Sequence, residues 1–210
     1  MISKVRGNIG PLQRVLSWPF IKLRMDPNLI SVIGLVFAII GAYFVTQGQW
    51  LFALIFFILA PAMDLIDGTV ARALNKRSNW GNYFETMIDK LVDFAMLGSF
   101  VFVPGLQLAS VLALGFSAVS SYAKPRVALI IITDNRDWPA IGEHADKLVV
   151  LLVGLLIAAA GFNYLVWFLY FIALISAVGS LQRILYAKKL INEAERKGSL
   201  LPYIKKRKER

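Results

Sequence analysis

Apolar residues along this chain gather into long runs. Six can be drawn, over residues 29–47, 50–68, 83–103, 107–132, 147–162 and 164–186. Several reach about 18 residues, enough for a helix to cross a hydrocarbon core of roughly 30 Å. Residues 1–24 follow a different pattern. Leu12, Val15, Leu16, Phe20 and Leu23 recur at three- and four-residue steps beside Trp18 and among Arg6, Arg14, Lys22 and Arg24. That pattern predicts an amphipathic helix lying in the membrane interface, with a cytosolic tail as the plainer alternative. It lacks the short apolar core and small-residue cleavage site of a secretory leader. The expected fold is an all-α integral membrane protein. It has six transmembrane helices behind an interfacial helix at 1–24, in one membrane-embedded domain over 1–210 with a basic tail at 190–210.

Composition supports this and adds a direction. The chain is 58% hydrophobic, above the ordinary soluble share, and contains no cysteine, which excludes disulfides and thiolate metal sites. Its net charge of +10 would suggest nucleic acid in a soluble protein. Here the placement of the charge matters more. The turns at 47–49, 104–107 and 161–164 carry no charge, while the other connections and both termini hold the Lys and Arg. An even span count with basic residues on one side predicts both termini in the cytoplasm, a multi-pass location in the cell membrane, and membrane lipid as partner rather than nucleic acid. No internal repeat is present, against a transporter built from inverted halves.

The candidate chemistry begins at the end of the second run. It reads Asp64-Leu-Ile-Asp67-Gly68-Thr-Val-Ala71-Arg72, then a short basic loop, then Gly81-Asn-Tyr-Phe-Glu85-Thr-Met-Ile-Asp89, then Asp93. Asp64 and Asp67 share one helix face, and Glu85, Asp89 and Asp93 share another. The turn between them makes the helices antiparallel neighbours, so the carboxylates can converge at one membrane edge. Clustered carboxylates there repel each other and are costly. Divalent metal relieves both problems, and oxygen-only donors favour Mg²⁺, with Mn²⁺ as the alternative. Two ions on four carboxylates would neutralise a pyrophosphate during in-line displacement. Gly68 and Gly81 permit close backbone approach, Ala71 leaves room, and Arg72 suits a phosphate. The blander reading pairs these acids with Arg72, Arg77 and Lys90. Spans one, four, five and six carry no acid in their apolar middles, which disfavours a cation transporter, and the intact acidic set disfavours an inactive scaffold.

This stretch resembles the signature of the CDP-alcohol phosphotransferase family, D-x-x-D-G-x-x-A-R followed after about eight residues by G-x-x-x-D-x-x-x-D. Glu85 stands where the family usually has Asp. Pro27-Asn28-Leu29-Ile30-Ser31 looks like the family's entry motif, and six spans in this arrangement are the family's. The resemblance implies Asp64, Asp67, Glu85 and Asp89 as metal ligands, with Asp89 also the general base. It places Asp64, Gly68, Ala71, Arg72 and Gly81 in the CDP site. It further implies a homodimer, which small faces at Gly98, Ser99, Ser110, Gly115, Ser117 and Ser120 would permit. The implied reaction transfers a phosphatidyl-type group from a CDP-lipid to a polar alcohol, releasing CMP. The donor is left open as diacylglycerol- or ether-linked.

Tyr122-x-Lys124-x-Arg126, Glu143-His144 and Gln182-Arg183 resemble the set in the branch of phosphatidylinositol-phosphate and archaetidylinositol-phosphate synthases. His144 stands where that branch has arginine, and Pro125 replaces a small residue. The likeness implies Lys124, Arg126, His144 and Arg183 as ligands of an acceptor phosphate, with inositol phosphate the leading acceptor and glycerol phosphate next. Basic residues in an apolar segment also snorkel to lipid phosphate, which is the alternative for Lys124 and Arg126.

Overall fold

The computed structural model describes residues 10–132, 138–139 and 141–201. Residues 1–9 of the expected interfacial helix and residues 202–210 of the basic tail lie outside them. Seven α-helices follow in order: α1 (Gly10–Lys22), α2 (Pro27–Thr46), α3 (Trp50–Ala73), α4 (Asn79–Gly98), α5 (Gln107–Ala128), α6 (His144–Ala159) and α7 (Leu165–Arg196). A 3₁₀ turn, Ser99–Phe102, closes α4. Among the described residues there is no strand, only an isolated antiparallel bridge between Ile131 and Leu200. Each of the six apolar runs forms a helix. Several boundaries differ from expectation; among them α3 runs five residues past position 68, and α7 ten residues past position 186. Falling hydropathy marks where a helix leaves an apolar medium, not where its hydrogen bonds stop.

Small residues set the helix spacing. Gly34, Ala38 and Gly41 form a buried stripe on α2. A side chain on Gly41 would collide with the Phe57 ring of α3, and one on Gly34 would come within 3.0 Å of the Ala60 carbonyl. Close approach lets α2 and α3 enclose Phe57 completely, and Phe100, Leu155, Leu169 and Ile172 are equally enclosed in the same core. α5 and α7 meet along a seam of serines instead. Ser117 Oγ lies 3.2 Å from Ser176 Oγ, and Ser180 donates to the carbonyls of Phe116 (3.1 Å) and Ser176 (2.7 Å). Ser110 donates to Leu97 O at 2.5 Å. Ser99, Ser110, Ser117 and Ser120 are buried within the protomer, so these serines of the faces expected to serve a dimer pack inside one chain, whereas Gly115 is exposed.

The outer surface is apolar. Val36 and Ile39 of α2, Phe52 and Ile58 of α3, and Leu174 and Leu181 of α7 are all exposed. A continuous surface of this kind belongs against lipid. Among the described residues three helices, α2, α3 and α7, are long and apolar enough to cross a membrane, and the chain is a membrane protein. α1 lays Phe20 and Ile21 against Ile30, Met63, Ile66 and Val70, while Val15, Trp18 and Leu23 stay exposed. Beyond α7 the chain returns to the end of α5, where Leu201 N–H donates to Ile130 O at 3.0 Å over the buried Val127, Ile131 and Ala194.

Candidate active site

Two helix starts and one helix end define the site. Asp26 caps α2, its carboxylate accepting from the Asn28 N–H at 2.9 Å, with Pro27 in the first turn where its missing N–H costs nothing. Ser78 caps α4 by accepting from the Gly81 N–H at 2.9 Å. Between them α3 ends at Ala73, and Asn75 takes a left-handed φ of 53°, a conformation asparagine tolerates. The tight turn brings the start of α4 beside the end of α3, with the start of α2 opposite.

Asp64, Asp67 and Glu85 converge here, each with a carboxylate oxygen within 4.8 Å of the others. Asp67 is buried, and its Oδ2 accepts from Ser31 Oγ of α2 at 2.5 Å. Its Oδ1 is buried without a hydrogen-bond partner. An orphaned buried carboxylate oxygen facing two more carboxylates is costly unless a cation completes the set. The donors are all oxygen, so the residues fit a hard divalent ion. Asp89 lies one turn along α4 from Glu85, within electrostatic reach of Asp64 but outside the three-carboxylate set.

Beside the carboxylates opens a cavity of about 670 Å³. Asp67, Gly68, Ala71, Arg72, Gly81 and Glu85 line it, with Asp26, Pro27, Asn28, Ser31, Lys76, Arg77, Ser78 and Asn82 completing the wall. Asp64 belongs to the carboxylate set but not to this wall. A side chain on Gly68 would meet nothing nearer than Arg72 Nη1 at 3.7 Å, so its space belongs to the cavity. Arg72 is held along its own helix, Nη2 donating to Thr69 Oγ1 at 2.9 Å. The nearby ion pairs go to Asp93 instead, from Lys90 Nζ at 3.5 Å and His144 Nδ1 at 2.7 Å. The wall offers carboxylates for metal together with Arg72, Lys76, Arg77 and two helix N-termini, which suit a diphosphate.

Gly81 carries a testable demand. A Cβ there would sit 3.1 Å from Ser78 Oγ and 3.7 Å from Asn28 Oδ1, disturbing the α4 cap at the cavity wall. Gly81→Ala should raise the KM for a CDP-lipid roughly tenfold through misplacement of the site. An unchanged donor KM in a CMP-release assay would remove Gly81 from the site.

None of Lys124, Arg126, His144 and Arg183 lines the cavity. Arg126 is exposed. Arg183 Nη1 donates to Ser120 O (2.8 Å) and Ser120 Oγ (2.6 Å), and its Nε to Pro139 O (3.4 Å). His144 reaches Asp93, so it faces the acidic helix. The sequence reading missed Lys147, only 6% exposed although a lysine. It lies within electrostatic reach of Asp93, Lys90 and Arg183. A lone lysine one turn into an apolar helix was the available signal. The reading also passed over Ser31 as a partner of Asp67.

Comparison with known proteins follows the same lines. Residues 24–136 match the family description CDP-alcohol phosphatidyltransferase. The chain is 30% identical over 195 residues to the archaetidylinositol phosphate synthase of Pyrococcus horikoshii, covering 90% of this chain and 97% of that one. Its fold matches the crystal structure of Mycobacterium tuberculosis phosphatidylinositol phosphate synthase with CDP-DAG bound, at TM-score 0.72 and 19% identity, over 84% of this chain and 94% of that one. The same enzyme in complex with manganese and citrate matches at TM-score 0.73 and 18% identity, over 83% and 88%. At those identities the likeness is one of fold.

Proposed function

The chain belongs to the CDP-alcohol phosphatidyltransferase family, whose members are transferases of phospholipid biosynthesis, and on that premise we propose that it transfers a phosphatidyl-type group from a CDP-lipid to a hydroxyl of inositol phosphate. One observation carries the donor half of this reading: two of three convergent carboxylates, Asp67 and Glu85, line a cavity with three basic side chains and two helix N-termini. The acceptor half rests on similarity to an archaetidylinositol phosphate synthase over nine-tenths of the chain. It also rests on the basic groups His144 and Lys147 near Asp93, with Arg183 within electrostatic reach of Lys147.

The residues divide the work. Arg72, Lys76 and Arg77 hold the diphosphate, with Gly68, Ala71 and Gly81 leaving room for the nucleotide. Asp64, Asp67, Glu85 and Asp89 would hold divalent metal, Mg²⁺ with Mn²⁺ as the alternative and two ions in number. Metal bound there supplies charge neutralisation of the diphosphate and Lewis acidity toward the leaving group. The acceptor oxygen forms a bond to the lipid-side phosphorus, the bond from that phosphorus to the CMP oxygen breaks, and Asp89 takes the hydroxyl proton. CMP departs with the electron pair of the broken bond. Lys124, Arg126, His144, Lys147 and Arg183 form the basic surround for the acceptor phosphate. Six helices cross the plasma membrane with both termini and the active site on the cytoplasmic side, following the distribution of Lys and Arg. Residues 1–24 lie in the interface, and two copies form a homodimer.

Purified protein in detergent with Mg²⁺ and a CDP-lipid should release CMP when inositol phosphate is added, and not with free inositol or without acceptor. Stimulation by glycerol phosphate alone would move the acceptor to that alcohol. Silence with every acceptor, on ester- and ether-linked donors alike, would sink the reading. Lys124→Ala should raise the acceptor KM roughly tenfold, the loss expected for one charged hydrogen bond. An unchanged value would leave Lys124 as a snorkelling side chain.

A further inference from the structure

Asp93 is the carboxylate that the reaction above does not use. It lies two turns from Glu85 and one from Asp89 on the same face of α4, about 6 Å beyond Asp89 along the helix axis. It is outside the set of carboxylates that converge for metal, and its side chain is 14% exposed. Both of its oxygens are engaged by cationic groups from two helices. Oδ2 faces Lys90 Nζ of α4 at 3.5 Å, and Oδ1 lies 2.7 Å from His144 Nδ1 at the start of α6. The second is a contact of charge, since Nδ1 is buried and not aligned for a hydrogen bond. Lys147, one turn along α6 from His144, shares with Asp93 and His144 the wall of a cavity of about 10 Å³, room for a single water. The remainder of that wall is apolar.

The arrangement has a direction. Lys90, a protonated His144 and Lys147 face one carboxylate, and of the three only Lys147 is buried, an excess of positive charge that suits an outside anion. His144 lies within electrostatic reach of Asp89 as well, so the excess faces the base. Without Asp93, Asp89 still attracts Lys90 and His144, but Lys147 loses its carboxylate and the first turn of α6 loses its polar tie to α4. Resting on the function proposed above, we infer that Asp93 is a positioning residue: through its contact with His144 it holds the first turn of α6, Lys147 included, against the Asp89 face of α4, and so sets where the acceptor's phosphate sits relative to the base.

Asp93 touches neither metal nor substrate in this account, so its effect must run through His144 and appear on the acceptor side alone. The test is a double-mutant cycle of Asp93→Asn, His144→Gln and the pair, read as KM for inositol phosphate and for CDP-lipid, with Tm in detergent as a folding control. Asp93→Asn should raise the acceptor KM about 10–100-fold, the range for loss of an orienting partner, and leave the donor KM within about twofold. The double variant should be no worse than the worse single one, because the two act as a unit. His144→Arg, which keeps a cation opposite Asp93, should raise the acceptor KM far less than His144→Gln does. Should Asp93→Asn not fold, Asp93→Glu moves the carboxylate by one methylene and should raise the acceptor KM to an intermediate degree. Additive losses would overturn the inference, as would equal rises in both KM values, or a lowered Tm with both KM values unchanged. A wild-type protein that releases no CMP with any phosphorylated acceptor would sink the proposed function and this inference together, whereas an active wild type with an additive cycle sinks this inference alone.

Discussion

Asp89→Asn should lower turnover by about 10²–10⁴-fold, the span of general-base contributions, while the protein still folds and still binds CDP-lipid in a metal-dependent way. Asparagine keeps the size of the side chain but cannot take a proton. The position of Asp89 makes the separation of effects possible. Asp64, Asp67 and Glu85 form the convergent set without it, so those three retain an oxygen cluster when Asp89 is lost. Asp89 instead lies between that set and the Asp93–His144 pair, within electrostatic reach of both sides. A base needs that place, between the donor's phosphorus and the acceptor's hydroxyl. The measurement is single-turnover CMP release beside equilibrium donor binding over a metal titration. Turnover within a few-fold of wild type would remove Asp89 as the base. A large shift in the metal midpoint would make it chiefly a ligand.

Much of this arrangement was legible in the chain because helical periodicity is local. Residues three or four apart share a face whatever the surroundings, so Asp64 with Asp67 and Glu85 with Asp89 could be grouped without coordinates. Glu85 joins the convergent set, so its extra methylene does not remove it from the site. Partners far apart in sequence were not legible. Ser31 meets Asp67 across 36 positions, and nothing in the local pattern around either residue marks the contact. The serines of α5 were legible as small, and smallness permits close packing without saying against what. The structure sets Ser117 opposite Ser176 of the same chain. Arg183 was legible as a cation near a helix end, yet it donates to Ser120 and to the Pro139 carbonyl. That use depends on how the connection before α6 lies over α7. There a side chain on Gly179 would collide with the Ile141 carbonyl.

The most decisive result should come from Asp67, because its effects on stability and on activity are expected to run in opposite directions. Asp67 is 3% exposed, accepts from Ser31 through Oδ2, and leaves Oδ1 buried without a hydrogen-bond partner beside Asp64 and Glu85. In chelator, three nearby carboxylates repel one another in a partly desolvated place, and the fold bears that cost. Asp67→Asn removes one charge and supplies an N–H₂ that can donate to a neighbouring carboxylate. The metal-free variant should therefore be at least as stable as metal-free wild type. Divalent metal should stabilise wild type by about 2.7 kcal/mol at a hundredfold excess over Kd, and the variant by far less. Its CMP release should fall at least about 100-fold, on the scale of losing one group that stabilises transition-state charge. Thermal unfolding with and without Mg²⁺ or Mn²⁺, beside CMP release, reads both directions at once. A variant that stays active and keeps the full metal-dependent rise in Tm would mean that the ion sits elsewhere. A variant that is destabilised in chelator would mean that Asp67 is held by partners of its own and that its buried oxygen is not reserved for metal.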